Sequence, residues 1–123
     1  MGSEIKSYRD LIVWQKSMAL VTDIYTLTKL FPKEEVYGLT LQIRRCAISI
    51  PSNIAEGYGR NATGDYIRFL QIGIGSLYEF QTQLEIAYNL EYVNKSDFEK
   101  NFQKSKEIDI LLCSLCRKLE TFK

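Results

Sequence analysis

The stretch YIRFLQIGIGSLYEFQTQLEIA, residues 66–87, decides the fold of this chain. Its apolar and small residues recur at alternating steps of four and three, and they are Tyr66, Leu70, Gly73, Leu77, Phe80, Leu84 and Ala87. An unbroken heptad of this kind predicts a long helix that packs lengthwise against other helices. The small residues Gly73, Gly75 and Ser76 leave room in the middle of this helix for the close approach of a neighbouring helix.

The chain on both sides of this stretch predicts three more helices. Residues 7–10, SYRD, have the form of a capping box and open helix 1, which ends near Phe31. Helix 2 is expected over about residues 36–57, and helix 3, which contains the heptad stretch, begins near Thr63. Residues 96–99, SDFE, form a second capping box that opens helix 4. The apolar stripe of helix 4 comprises Phe98, Phe102, Ile108, Leu112, Leu115, Leu119 and Phe122.

Helix 1 is apolar around more of its circumference than one bundle core needs. The apolar residues of its first face are Leu11, Trp14, Met18, Val21 and Tyr25. Those of the second face are Val13, Leu20, Ile24, Leu27 and Phe31. Because exposed apolar area of this extent usually marks an interface, helix 1 and the small residues of helix 3 together predict a homo-oligomer.

The overall pattern predicts an all-α protein. No segment alternates with the period of a β-strand, and the connections between the helices are short. Four helices joined in this way favour an up-down-up-down antiparallel four-helix bundle. Residues 7–123 are expected to form its single domain, and residues 1–6 to be a disordered N-terminus or the remnant of an expression tag.

The composition excludes several classes of enzyme. The chain has 123 residues, with 16 Lys and Arg, 15 Asp and Glu, a formal net charge of +1 and no histidine. Without histidine, a Ser-His-Asp triad, a Cys-His dyad and a His-ligated metal site are impossible. No other nucleophile and base stand out as a pair, so we expect a protein without enzymatic activity.

The sequence also indicates a cellular compartment. It contains no apolar stretch of the twenty or so residues needed to span a bilayer, and its N-terminus has no signal-peptide pattern. Its three cysteines, an odd number, suit a reducing compartment better than a disulfide scaffold. We therefore expect a cytoplasmic protein that does not associate with membranes.

Two motifs resemble metal or cofactor sites but lie in the wrong setting. Cys113 and Cys116 form a CxxC late in a core helix, where cysteine behaves as a small buried hydrophobe. Residues 57–62 fit the loose GxGxxG/A dinucleotide pattern, but a helix rather than a strand precedes them. We therefore expect neither a metal nor a cofactor.

A carboxylate site inside the bundle is the alternative interpretation. A small metal protein or enzyme of this kind would use Glu56 of helix 2 with Glu79 and Glu85 of helix 3. Glu79 and Glu85 each stand beside a core position, which favours solvated carboxylates on the flank of the bundle over buried ligands.

A local excess of arginine marks the middle of the chain. The arginines concerned are Arg44, Arg45, Arg60 and Arg68. Adjacent residues point about 100° apart on a helix, so Arg44 and Arg45 cannot share one face. Two interpretations stay open: the arginines pair with glutamates of neighbouring helices, or they bind the phosphate groups of a nucleic acid.

Residues 49–60, SIPSNIAEGYGR, interrupt the pattern of helix 2. Pro51 removes the amide that would bond to the carbonyl four residues earlier, so the helix should bend or loosen there. Three polar neighbours, Ser49, Ser52 and Asn53, can satisfy the freed backbone groups locally.

The end of the same segment predicts an ion pair and a helix terminus. Glu56 lies within reach of Arg60 at i+4, and Gly57 and Gly59 are expected to end the helix in the left-handed conformation. The segment is either a kinked helix end that fixes how helix 2 turns into helix 3, or a polar network displayed at an oligomer pore or partner surface. The motif residues are Ser49, Pro51, Asn53, Glu56 and Gly57.

Three segments of the chain resemble a known family. They are YRDLIVWQKSMALVTDIY at residues 8–25, FPKEEVYGLTLQIRRCAISIPSNIAEGYGR at residues 31–60 and FLQIGIGSLYEFQTQLEIA at residues 69–87. The middle segment is the specific one, because QIRR, SIPSNIAEG and a later GSxxE rarely occur together by chance. The chain thus resembles the bacterial four-helix bundle proteins encoded in 23S rRNA intervening sequences.

This resemblance implies a homo-oligomeric bundle, a ring of five subunits, with no established catalytic activity. A similar protein, the accessory protein of diversity-generating retroelements, binds reverse transcriptase and nucleic acid through a basic surface. The resemblance therefore implies a scaffold or adaptor whose partners are itself and RNA or a nucleic-acid-binding protein. Arg44, Arg45, Arg60 and Arg68 are the candidate binding residues for such a partner.

Overall fold

A computed structural model describes residues 4–122, which form four α-helices and two short 3₁₀ turns. The helices are α1 (Ile12–Thr28), α2 (Leu39–Tyr58), α3 (Thr63–Asn89) and α4 (Lys95–Glu120). The turns span Tyr8–Asp10 and Lys33–Glu35, and no residue in 4–122 lies in a strand. Of residues 1–6, the expected disordered N-terminus or tag remnant, positions 1–3 lie outside the described residues. The all-α prediction is confirmed.

The four helices enclose one core. Each helix packs against the next one in the chain, and α4 packs back against α1. Ser49 of α2 bonds to Ser76 of α3. Further along α2, Gly57 lies against Phe69, which comes earlier in α3, so these two helices run in opposite directions. The largest fully buried side chains are Leu20, Ile24, Ile43, Ile50, Ile54, Leu70, Leu77, Phe80, Leu84, Ile108 and Leu112.

Helix α1 buries only the second of its two predicted apolar faces. Val13, Leu20, Ile24, Leu27 and Phe31 are all in the core. The first face points outward: Trp14 and Val21 are half-buried, and Met18 and Tyr25 are 43% and 37% exposed. The apolar surplus predicted for helix 1 is therefore present at the surface of the single chain.

The predicted capping box before α1 is present, but it closes a 3₁₀ turn. Ser7 Oγ accepts from the Arg9 amide at 3.1 Å, and Asp10 Oδ2 accepts from the Ser7 amide at 3.1 Å. The box caps Tyr8–Asp10, and α1 itself begins one residue after Leu11, which has an extended backbone.

Helix α2 begins at Leu39, three residues later than the sequence predicts, because the chain turns sharply at Gly38. Glu35 caps the helix from outside it. Its Oε1 accepts from the Leu39 amide at 2.9 Å, and its Oε2 accepts from the Tyr92 hydroxyl at 2.9 Å. Both hydrogen bonds lower the pKa of the Glu35 carboxyl, and the bond from the Leu39 amide has the larger effect.

The expectation of a left-handed end to α2 is wrong. Gly57 lies inside the helix, Gly59 has φ −77°, and no glycine in the described residues has a positive φ. Gly57 is needed for close packing instead, since a Cβ on it would lie 2.8 Å from Phe69 Cβ and 3.1 Å from the Tyr66 carbonyl oxygen. The left-handed residue is Glu91, φ 64°, between α3 and α4.

Helix α4 begins with a different cap from the one predicted. Asn94, not Ser96, is the N-cap, and its Oδ1 accepts from the Asp97 amide at 2.7 Å. Of the predicted stripe, Ile108 and Leu112 are buried, four residues are half-buried, and Phe122 lies beyond the helix and is exposed. No helix within residues 4–122 is both long and apolar enough to cross a membrane.

Candidate functional site

The polar residues around Pro51 form a network between α2 and α3. Asn53 Nδ2 donates to the Ser49 carbonyl at 2.8 Å and to Ser49 Oγ at 2.9 Å. The Ser49 hydroxyl in turn shares a 2.8 Å hydrogen bond with that of Ser76, which is buried in α3. Asn53 and Ser49 are half-buried, while Ser52 is exposed. These hydrogen bonds hold α2 against α3 within one chain.

The small residues of α3 serve the same internal contact. Gly73 is buried, and a Cβ on it would lie 3.6 Å from Asn53 Cβ and 3.7 Å from the Ile50 carbonyl oxygen. The space beside Gly73 is thus occupied by α2 of the same chain. Gly75 is exposed, with no atom within 4 Å of a Cβ placed on it. Support for an oligomer therefore comes from the outer face of α1 and not from the small residues at 73 and 76.

The predicted ion pair at the end of α2 is present. Arg60 Nη2 lies 3.2 Å from Glu56 Oε2, and both side chains are exposed. The Arg60 guanidinium also lies 4.7 Å from the centroid of the Phe69 ring, a cation–π distance. Arg60 is therefore already engaged by residues of its own chain.

Arg44 is held by α1 and has no carboxylate partner among residues 4–122. Its Nε donates to Thr28 Oγ1 at 2.8 Å, and its Nη2 donates to the Tyr25 carbonyl at 3.4 Å. The guanidinium lies 4.3 Å from the centroid of the Tyr25 ring. The interpretation that the arginines pair with glutamates of neighbouring helices thus fails for Arg44, and the Arg60–Glu56 pair joins residues only four apart in the chain.

The four arginines do not form one patch. Arg44 lies on α2 and Arg60 lies two residues beyond the end of that helix. The part of α2 from Arg44 to Tyr58 alone spans about 21 Å at 1.5 Å per residue. Arg45 is exposed on α2 and Arg68 is exposed on α3, and neither forms an ion pair within the described residues. The arginine excess in the sequence is therefore spread along the bundle.

Arg44 lines a basic groove that was not predicted from the sequence. It has a volume of about 400 Å³ and lies at the connection between α1 and α2. Its lining residues are Thr28, Lys29, Phe31, Pro32, Lys33, Val36, Thr40 and Arg44. The sequence signal for this groove is the pair of lysines on either side of the Phe-Pro turn, Lys29 and Lys33, four positions apart.

An apolar groove lies along the outer side of the same two helices. It has a volume of about 300 Å³. Its lining residues are Tyr8, Trp14, Met18, Val21, Ile48, Pro51, Ser52 and Ala55. Met18 and Ile48 are 43% and 40% exposed, and Ser52 is the one lining residue that is neither apolar nor aromatic. The outer face predicted for helix 1 therefore continues onto α2.

The glutamates proposed for a carboxylate site are on the surface. Glu56, Glu79 and Glu85 are all exposed. No group of three or more Asp, Glu, Cys or His residues within positions 4–122 is arranged to hold a metal ion. Their exposure agrees with the prediction that they are solvated carboxylates on the bundle flank.

The sequence predicts that the two cysteines of the CxxC motif are buried, but Cys113 and Cys116 are only half-buried. Burial raises the pKa of the Cys116 thiol. The pKa of the Cys113 thiol is raised mainly by burial and further by the hydrogen bond that it donates to Asp109. Asp109 Oδ1 also accepts from the Tyr78 hydroxyl at 3.0 Å, which raises the pKa of Tyr78 to about 12. Because a reactive cysteine needs a lowered pKa, this pair lacks the environment of a redox centre.

Comparison with known proteins places the fold in a family. The sequence profile of the 23S rRNA-intervening sequence proteins matches residues 9–114. A crystal structure of a protein with unknown function, from the S23 ribosomal protein family of Bacteroides thetaiotaomicron, superposes with a TM-score of 0.80 and 27% sequence identity. The match covers 86% of this chain and 96% of that one. No curated protein matches the sequence. The chain belongs to the 23S rRNA-intervening sequence protein family.

Proposed function

We propose that this protein is a non-enzymatic, homo-oligomeric scaffold or adaptor of the cytoplasm, whose subunits join through the apolar groove of α1 and α2. The uncovered groove is the observation that carries the proposal. Met18 and Ile48 leave about two-fifths of their surface in contact with solvent in the single subunit. Burying such side chains against a second copy is favourable by roughly 25 cal/mol per Å² of apolar area.

A ring supplies the geometry for this contact. In a ring the groove of one subunit meets a different face of the next subunit, and the contact repeats until the ring closes. An available second face lies on the outer side of α3, where Ile72 and Ile86 are exposed and nothing lies near Gly75. A ring of five is the assembly that the family resemblance implies, and we adopt it for this protein.

The absence of a catalytic arrangement supports a non-enzymatic role. The chain contains no histidine. The alternative function, a carboxylate metal protein or enzyme, would have to use Glu56, Glu79 and Glu85. These three side chains are exposed, and Glu56 is paired with Arg60. Solvated carboxylates bind metal ions weakly because no surrounding structure holds them in place.

Weak nucleic-acid binding is a second candidate function. Arg45 and Arg68 are exposed and unpaired within residues 4–122, so they are free to contact phosphates. A ring would present each arginine once per subunit, which multiplies a small local excess of charge. The net charge of +1 limits any such surface to patches.

The oligomeric state tests the main proposal directly. Light scattering coupled to gel filtration at micromolar concentration is expected to give about five times the subunit mass of 14.3 kDa. A smaller or larger closed assembly would keep the proposal and change the number of subunits. A monomer at that concentration would overturn it.

A further inference from the structure

We propose that the basic groove at the α1–α2 connection binds a phosphomonoester whose organic part is planar or apolar. The groove is defined by Lys29, Lys33 and Arg44 above an apolar floor. It lies apart from the apolar groove of α1 and α2, and the proposal does not depend on assembly of a ring or on RNA binding.

Arg44 is oriented before any ligand arrives. The Thr28 hydroxyl and the Tyr25 carbonyl fix one edge of the guanidinium, and the Tyr25 ring supports one of its faces. A guanidinium carries five N–H donors, and two of them are used by these contacts. The other N–H donors of Arg44 are not used by these contacts, and the Arg44 side chain lines the groove. A pre-positioned arginine loses less conformational entropy when it binds an anion bidentately.

The groove collects positive charge without a neutralising acid. Its lining includes two lysines and one arginine but no Asp or Glu. The nearest acids in the sequence do not supply one, since Glu34 is exposed outside the lining and Glu35 is occupied by Leu39 and Tyr92. Three cations that line one groove, with no acid among the lining residues, therefore point to an anion from outside the chain.

The number of cations favours a phosphomonoester. A phosphomonoester carries a charge of about −1.5 to −2 at neutral pH and has three acceptor oxygens. A carboxylate or a backbone phosphodiester carries about one negative charge. One guanidinium and two ammonium groups thus match a monoester better than either of these in both charge and number of donors.

The floor of the groove requires an organic part on the ligand. Phe31, Pro32 and Val36 line it with carbon, and Val36 is 53% exposed. A volume of about 400 Å³ lies in the range of small-molecule sites, roughly 300–1,000 Å³. Inorganic phosphate would leave this apolar surface wet, whereas a planar base or a short acyl or aryl group would cover it.

Adenosine 5′-monophosphate is a suitable probe, measured by isothermal titration calorimetry at low and moderate salt. We expect it to bind more tightly than inorganic phosphate, which lacks the organic part, and adenosine to show no binding. Arg44→Gln is expected to weaken binding about tenfold or more, since charge-assisted hydrogen bonds are removed. Arg117→Gln, which removes an exposed arginine near the end of α4, is the matched control and is expected to leave Kd unchanged.

Because Arg44 packs on Tyr25, its substitution also affects the stability of the fold. A second variant separates the loss of binding from such a loss of stability. Lys29 and Lys33 are exposed, so Lys29→Gln with Lys33→Gln is expected to keep the fold, checked by circular dichroism, and to weaken binding. No binding of the probe to the wild type, equal loss in Arg117→Gln, or binding of adenosine as tight as that of its phosphate would overturn the proposal. Displacement of the probe by an RNA oligomer without a terminal phosphate would overturn the assignment to a monoester.

Discussion

Gly57 of α2 and Phe69 of α3 lie so close that a Cβ on Gly57 would come within 2.8 Å of Phe69 Cβ. The same added atom would lie 3.1 Å from the carbonyl oxygen of Tyr66, which belongs to the backbone and cannot swing aside. The two helices make the most extensive contact in the bundle. This single position therefore sets how closely they approach.

Gly57→Ala is expected to lower the free energy of unfolding by about 1–3 kcal/mol, because the added methyl group forces α2 and α3 apart. Gly64→Ala is the matched control, since nothing lies within 4 Å of its Cβ position and alanine favours a helix. Urea unfolding followed by circular dichroism measures both. Equal stability of the two variants would show that the helices can adjust.

The apolar groove gives a prediction about assembly. Met18→Glu and Ile48→Glu place a charge where the neighbouring subunit is expected to pack, and an unpaired charge at an interface is costly. We expect both variants to sediment as folded monomers. Ile110→Glu is the control: Ile110 is 67% exposed on α4, away from the groove, and this variant is expected to assemble like the wild type. Assembly of all three variants would contradict the assigned interface.

Glu35 gives a prediction about pH. Its carboxyl has a pKa lowered from 4.5 by the hydrogen bonds from the Leu39 amide and the Tyr92 hydroxyl. A lowered pKa means that the ionised form is favoured in the folded state. The resulting stability is complete above pH 4.5 and is lost as the pH falls through the folded-state pKa.

Glu35→Gln is accordingly expected to lower the melting temperature at neutral pH and to flatten its decrease on acidification below about pH 4.5. Glu34→Gln removes the same charge from the next residue without removing the hydrogen bonds to Leu39 and Tyr92, so it serves as the control. Parallel pH profiles for the wild type and Glu35→Gln would rule out this contribution.

The exposed arginines give a prediction about nucleic acid. Arg45→Gln with Arg68→Gln is expected to weaken binding of a single-stranded RNA at low salt and to reduce the salt slope by about one for each phosphate that the variant no longer binds. Arg60→Gln is expected to have a smaller effect, because Arg60 is paired with Glu56. Fluorescence anisotropy over a salt series measures this. No binding at low salt would remove the second candidate function while leaving the oligomeric role intact.

The architecture could be predicted from the sequence because helix periodicity depends on the nearest neighbours in the chain. The heptad stripe of α3 and the buried face of α1 follow directly from spacing. The role of Gly57 could not, since a glycine that allows close packing and a glycine that ends a helix have the same local sequence. Only the position of Phe69 on another helix distinguishes them.

The candidate sites were harder to predict from the sequence for the same reason. The partner of Arg60 is one helical turn away in the chain, and that ion pair was predicted. Arg44 is bound by Thr28 and Tyr25, sixteen and nineteen residues away across the α1–α2 connection. Spacing along one helix carries no information about such contacts, so the basic groove could not be predicted.

The carboxylate of Glu35 also bears on the order in which this protein folds. Its bond to the Leu39 amide spans four residues, whereas its bond to the Tyr92 hydroxyl joins groups 57 residues apart. The first can form as soon as α2 nucleates, but the second requires α2 and α3 to have docked, since contacts distant in sequence carry a larger loop-closure cost. Glu35 belongs to the α1–α2 connection and Tyr92 to the α3–α4 connection. We expect the hydrogen bond between these connections to form late, after α2 and α3 have packed together through Ser49 and Gly57.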